Sequence, residues 1–192
     1  LKGVDMCGEE LSLAKARMSD GVVELFQLEA QNLTAINNAS IDVVLCHWAL
    51  TLMDPITPVL KEINRILSSG GKFAALVNGP MNTAPGYLDV YNLIYKYVQT
   101  KLPNYGKIDL GDPRIRSTKS LEHLVGEAFP SAEVSIENNI VSMVGPVAEV
   151  SETAAGFFYA SFILPTELRM IMLSDLSKLL SVSKQEGRFV MP

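Results

Sequence analysis

The run from Ile41 to Val77 constrains the fold most strongly. It contains Ile41-Asp-Val-Val-Leu-Cys-His-Trp-Ala-Leu-Thr-Leu-Met-Asp-Pro55 and, further on, Glu62-Ile-Asn-Arg-Ile-Leu-Ser-Ser-Gly-Gly-Lys-Phe-Ala-Ala-Leu-Val77. Residues 41–45 are apolar except for Asp42, which suits a parallel strand covered on both faces. Asp54-Pro55 reads as an N-cap followed by proline at the first helical position. Ile56, Leu60, Ile63 and Leu67 then recur at helical spacing and predict a buried stripe. Gly70 is expected to end that helix, and residues 73–77 read as the next strand. Strand, helix and strand in this order predict a right-handed βαβ unit, whose ligands bind at the carboxyl ends of the strands.

The flanking segments extend the same alternation. Residues 1–5 read as a short strand ending at Asp5, and residues 8–19 as a helix with Leu11, Ala14 and Met18 on one face. Asp20-Gly21 supplies a helix stop, and residues 22–28 are another short apolar run. Beyond residue 79, Leu88, Tyr91, Tyr95 and Val98 predict one face of a helix. Leu121, Leu124, Val125 and Ala128 predict another, and residues 134–140 a strand. Two apolar helical stretches follow, near 148–162 and 166–182, separated by Leu164-Pro165, and residues 188–192 resemble the start of a strand. The expected fold is α/β and Rossmann-like: a mostly parallel sheet flanked by helices, with helical cap elements after the strand at 73–77 and near the C-terminus. The expected organisation is a single domain over residues 1–192, with a core at 1–144 and a helical cap at about 145–186.

Length and composition narrow the function. A chain of 192 residues with 48% hydrophobic content can bury a substantial core. Lys+Arg 16 against Asp+Glu 21 gives a net charge of −5, which is no footprint for nucleic acid. No apolar run reaches the ~20 residues that span a bilayer. Cys7 and Cys46 do not make a disulfide framework, so a reduced, cytoplasmic setting is the expectation. No metal-ligand spacing such as Cys-x-x-Cys or His-x-x-x-His is present, and His123 stands alone on its helix.

Several residues have the chemistry of a nucleotide site. Asp5 ends the first strand, where an acid can bond ribose hydroxyls in nucleotide-binding α/β folds. Glu29 and Ala30 leave the run at 22–28, and Cys46, His47 and Trp48 leave the strand at 41–45. His47 carries an imidazole, a side chain suited to general-base chemistry, and is a candidate base. Cys46 has no specified partner base and reads as a packed residue.

Taken in order, Asp42, Val43, Val44, Ala49, Leu50, Asp54, Pro55, Glu62, Arg65, Leu67, Gly70 and Gly71 resemble the second half of a class I S-adenosylmethionine-dependent methyltransferase. The resemblance is closest to the small-molecule branch that includes ubiquinone/menaquinone and biotin-pathway enzymes. It implies S-adenosylmethionine as cofactor and a small-molecule O, N or C acceptor. By the same resemblance, Asp5 holds the ribose, Met6 packs on adenine, and Glu29 accepts from the adenine amino group. The backbone N–H of Ala30 faces a ring nitrogen, and Cys46 and His47 line the methionine arm. Glu29 stands where the family more often has Asp, and Leu28 where it has a small residue. No catalytic side chain is assigned, because displacement at a sulfonium is helped chiefly by alignment and exclusion of water.

Tyr87, Tyr91, Tyr95 and Tyr97 fall where relatives place a substrate-covering helix. With Phe157, Phe158, Tyr159 and Phe162 they suit either a fairly apolar acceptor pocket or plain core. The family's glycine-rich loop and its first strand would lie upstream of Leu1. That strand sits between the strand ending at Asp5 and the one ending at Cys46, so Val4 and Val44 are not expected to pair directly. Val4, Phe26, Val44 and Ala75 are expected on four neighbouring parallel strands, with Asp5, Glu29 and Cys46 along one edge. The two rival readings are a nicotinamide-dependent oxidoreductase and an inactive binding domain of the same fold.

Overall fold

The computed structural model describes residues 1–18, 23–106, 111–182 and 188–191. It divides into two compact units, one of Leu1–Val77 with Leu110–Ser135 and the other of Asn78–Asp109 with Ile136–Pro192. The division therefore falls at residues 77, 110 and 135.

The first unit holds the βαβ element and its flanks. Strand β1 (Lys2–Asp5) leads into helix α1 (Gly8–Arg17), and β2 (Glu24–Gln27) returns parallel to β1, with Val4 opposite Phe26 and Asp5 opposite Gln27. The predicted stop at Asp20-Gly21 lies outside the described residues. Strand β3 (Ile41–His47) then leads through a 3-10 turn at Leu50–Leu52 to α2 (Ile56–Ile66) and β4 (Leu67–Leu76). Strand β4 lies parallel to β3, with Val44 opposite Phe73 and Cys46 opposite Ala75. The predicted parallel pairings are present, but as two separate two-stranded sheets, β1–β2 and β3–β4. Val4 and Val44 are not partners.

Helix α2 owes its place to its stripe. Ile56, Val59, Leu60, Ile63 and Ile66 are buried, and spacings of three and four residues put them on one face. Ile66 joins Leu33 and Ile36 in a smaller cluster, and the other four build the main core with Leu50, Ile115, Leu124, Ala128 and Phe129, against which Val44, Cys46, Leu67 and Phe73 pack. The last four partners come from β3 and β4, so the helix lies on one face of that pair. Helix α4 (Thr118–Ala128) adds Leu124 and Ala128 to the same core and is capped by the Ser117 hydroxyl, which accepts from the Ser120 N–H.

Four local expectations are corrected here. First, β3 is covered on one face only. Val44 and Cys46 face the core, while Val43 and Leu45 are 54% and 77% exposed, because successive side chains alternate and only one face carries a helix. Second, Asp54 does not cap α2. Pro55 takes the N-cap position with extended backbone and makes no side-chain cap bond. Third, Gly70 does not end the helix. The chain leaves it at Leu67, which already pairs with Ile41. Gly70, at φ +77°, serves an irregular excursion within β4 before Lys72 pairs with Val43. Fourth, residues 134–140 form no strand. They are largely exposed and have no ladder partner among the described residues, and without a neighbour β-propensity alone does not build a strand.

The second unit is mostly helical. It contains α3 (Tyr87–Val98), β5 (Val141–Val144), α5 (Val147–Phe157), α6 (Ala160–Ile163), α7 (Thr166–Val182) and β6 (Arg188–Met191), with β5 antiparallel to β6. The buried residues of α3 are Tyr87, Val90, Ile94 and Val98. Leu88, expected on that face, is exposed, because its face is set one position away from the one read from the sequence. Small residues on α5 (Ser151, Ala154, Ala155) are buried along with Met172 and Leu176 of α7, and the Ser151 and Ser177 hydroxyls lie 3.0 Å apart. Tyr97 Oη donates to Asp175 Oδ2 at 2.5 Å.

Candidate cofactor site

Asp5 closes β1 and starts a turn. Its Oδ1 accepts from the Cys7 N–H at 2.8 Å, a local bond typical of Asp at a strand exit. The carboxylate is exposed, and Oδ2 accepts no hydrogen bond among the described residues. The Met6 side chain beside it is 70% exposed, while its carbonyl accepts from Gln27 Nε2 at 3.2 Å. The Leu28 N–H donates to the Asp5 carbonyl at 3.1 Å, carrying the ladder one residue past β2. The ends of β1 and β2 are thereby tied together, and Glu29 follows one residue later.

Glu29 is exposed, and its Oε2 accepts from Gln31 Nε2 at 2.8 Å. Its carbonyl accepts from the Asn32 N–H at 2.9 Å, which folds residues 29–32 into a turn. Ala30 packs on the main core, as does Cys46 from the end of β3. Leu28 packs on the smaller cluster of Leu33, Ile36 and Ile66, which Val44 also touches. Ala30, just past β2, and Cys46, at the end of β3, thus pack against one core. Asp5, Met6, Glu29 and Ala30 form one group, and Ala30 links it to Cys46. Burial pushes the Cys46 thiol up from its ordinary value, which disfavours a thiolate nucleophile.

His47 ends β3 opposite Leu76, exposed, with its ring 4.9 Å from that of Trp48. Trp48 has φ +56°, a left-handed conformation that is strained for a bulky residue. It is held there by its N–H, which donates to the Leu76 carbonyl at 2.9 Å, and by the Thr51 hydroxyl, which donates to the Trp48 carbonyl at 2.7 Å. Sequence reasoning passed over what pins this loop. The Asp112 N–H donates to the Met53 carbonyl at 2.9 Å. Gly111, at φ +68°, approaches so closely that a Cβ would stand 2.3 Å from the Thr51 oxygen. Asp112 is buried, caps Pro113–Arg116 by accepting from the Arg114 N–H at 3.0 Å, and grips the Arg114 guanidinium. That guanidinium holds the Asp112 carboxyl below the ordinary carboxylate range. The signal was the Asp-Pro pair at 112–113, the same signal that failed at 54–55.

Among the described residues no group of three or more His, Cys, Asp or Glu could hold a metal ion, and no helix is long and apolar enough to cross a membrane.

Residues 1–75, which contain this whole group, match the family model of a methyltransferase domain. This match covers the first 75 of the 192 residues and says what that part of the chain is similar to. Two solved structures share the chain's fold, from Bacillus halodurans and Haloferax volcanii. A protein from Bacillus halodurans assigned as a methyltransferase is 16% identical, with a TM-score of 0.57, over 99% of this chain and 77% of its own. A Haloferax volcanii protein assigned as a methyltransferase, solved with the Trm112 methyltransferase activator, is 17% identical, with a TM-score of 0.52, over 98% and 69%. A Listeria monocytogenes protein assigned as an S-adenosylmethionine-dependent methyltransferase is 29% identical over 44% of this chain, which spans 39% of that protein, with a TM-score of 0.39. No curated protein matches the sequence.

Proposed function

We propose that this methyltransferase domain holds S-adenosylmethionine at the exits of β1, β2 and β3 and transfers its methyl group to a small-molecule acceptor. The observation that carries this reading is the tie between Asp5, Leu28 and Glu29 at the carboxyl ends of a parallel strand pair. The donor set fits the cofactor. Asp5 and Glu29 each keep one carboxylate oxygen outside the bonds made within the turn, and such oxygens accept from ribose hydroxyls and from an exocyclic amino group. Met6 offers an exposed apolar side chain beside them, suited to a base face. Cys46 and His47 extend the site along the exit of β3. When bound, S-adenosylmethionine supplies an electrophilic methyl group on a sulfonium.

The residues of the chain orient and do not attack. Burial disfavours a thiolate at Cys46, and His47 lies on an exposed strand end with its ring beside that of Trp48. Alignment and exclusion of water are the expected sources of rate. Calorimetry of the intact protein with S-adenosylhomocysteine and with NADH tests the reading. Binding of the first and not the second supports it, while the reverse would support a nicotinamide-dependent oxidoreductase. Binding of S-adenosylhomocysteine without methyl transfer to any small-molecule panel would point to a binding domain. The net charge of −5 favours a small-molecule acceptor over nucleic acid.

A further inference from the structure

The loop after β2 is gripped from the side by α2. The Leu33 N–H donates to Glu62 Oε2 at 2.7 Å, and the Leu33 carbonyl accepts from Arg65 Nη2 at 2.9 Å. Arg65 Nη1 donates to the Ile36 carbonyl at 3.0 Å and to Asn38 Oδ1 at 2.5 Å. Within the helix, Arg65 Nε and Nη2 donate to the two Glu62 oxygens at 2.8 and 2.9 Å. The pair is largely buried, with side chains 20% exposed for Glu62 and 29% for Arg65. An ordinary surface pair at this spacing supports only its own helix. Here the planar guanidinium also meets three acceptors on one loop, a geometry that a lysine ammonium cannot reproduce.

Position gives the clamp its consequence. Leu28 is fixed through its N–H to the Asp5 carbonyl, and Leu33 is fixed on both its N–H and its carbonyl by α2. Only residues 29–32 span the two anchors, closed by the turn from Asn32 to Glu29. The place of Glu29 and Ala30 therefore follows from the clamp. We infer that Glu62 and Arg65 are positioning residues for the base end of the cofactor, setting the preference for a purine that carries an exocyclic amino group. The inference rests on the assignment of Glu29 and Ala30 made under Proposed function.

The test uses the intact protein and two ligands, S-adenosylhomocysteine and S-inosylhomocysteine, the second lacking the exocyclic amino group. The wild type is expected to prefer the first. Glu62→Gln preserves the shape of the side chain, and Arg65→Lys preserves its charge. Both are expected to weaken S-adenosylhomocysteine about tenfold, the usual scale of one lost hydrogen bond. They should leave S-inosylhomocysteine within about twofold, so that the preference shrinks, with the cofactor KM raised and kcat kept. Asp5→Asn should weaken both ligands alike. Full preference in folded Glu62→Gln, with amide exchange at Leu33 accelerated, would show that the clamp is structural only and overturn the inference. A wild type that binds neither ligand would overturn the cofactor assignment itself, and the inference with it. Should Arg65→Lys not fold, the isosteric Glu62→Gln alone decides between these outcomes.

Discussion

Asp5 has two free-energy roles that two substitutions can separate. Its Oδ1 accepts from the Cys7 N–H at 2.8 Å on an exposed turn, so loss of that bond should cost the fold no more than about 1 kcal/mol. Its Oδ2 is available to a ligand hydroxyl, and a hydrogen bond to a charged acceptor contributes roughly 1.5–3 kcal/mol. At about 1.4 kcal/mol per decade, Asp5→Ala should weaken S-adenosylhomocysteine roughly 10- to 150-fold in the intact protein. Asp5→Asn keeps a neutral oxygen for the turn and should lose less, on the order of 5-fold. Calorimetric titration gives the affinities, and thermal melts on the same samples show whether the turn survives. An Asp5→Ala protein that melts like wild type and binds within about twofold of it would reduce Asp5 to a turn residue. Glu29→Gln should cost less than Asp5→Ala, because one of its oxygens is already engaged by Gln31 and an amide oxygen still accepts.

Three further outcomes are expected. His47→Ala should retain measurable methyl transfer, and a drop of ~10³-fold with cofactor affinity intact would establish a base at that position. Leu60→Ala empties a fully buried site at the centre of the α2 stripe and should cost about 2–5 kcal/mol of stability in denaturant melts, so a loss below ~1 kcal/mol would show that the helix does not seat as described. Burial, and secondarily Tyr91 beside it, hold the Tyr87 hydroxyl up to about 12, against about 10 in an unfolded chain. Because the folded value is the higher one, this contribution is complete below about pH 10 and is lost as pH rises towards 12. Melts of the intact protein should therefore show a lower midpoint at pH 11 than at pH 9, and that fall should shrink in Tyr87→Phe if the linkage is correct.

The aromatic residues show how far a stripe can be read. Tyr91 and Tyr95 do stack, with ring centroids 3.8 Å apart, and Tyr87, Tyr105 and Phe158 gather around them, with Tyr105 Oη donating to the Phe158 carbonyl. Burial drives the Tyr95 hydroxyl far above its ordinary range, and Tyr87 and Phe158 of this cluster are buried. Tyr159 and Phe162, read as a further pocket wall, are 66% and 80% exposed. Apolar character at helical spacing is local information, whereas which residues of a stripe are covered depends on elements distant in sequence.

The sequence by itself determined the alternation of strands and helices, the α2 stripe and the parallel pairing of β3 with β4. Each of these follows from side-chain period and from short motifs whose physics is local. Tertiary structure alone decided which of two Asp-Pro pairs caps a helix. Asp112 succeeds because it is buried against Arg114 and tied to Met53, while Asp54 makes no cap. It also decided that Glu62 and Arg65, legible only as a motif, reach 29 residues back to Leu33 and Ile36. Hydrogen bonds across such distances depend on where the backbone brings acceptors together. Periodicity places a residue on a face but carries no information about what that face will meet.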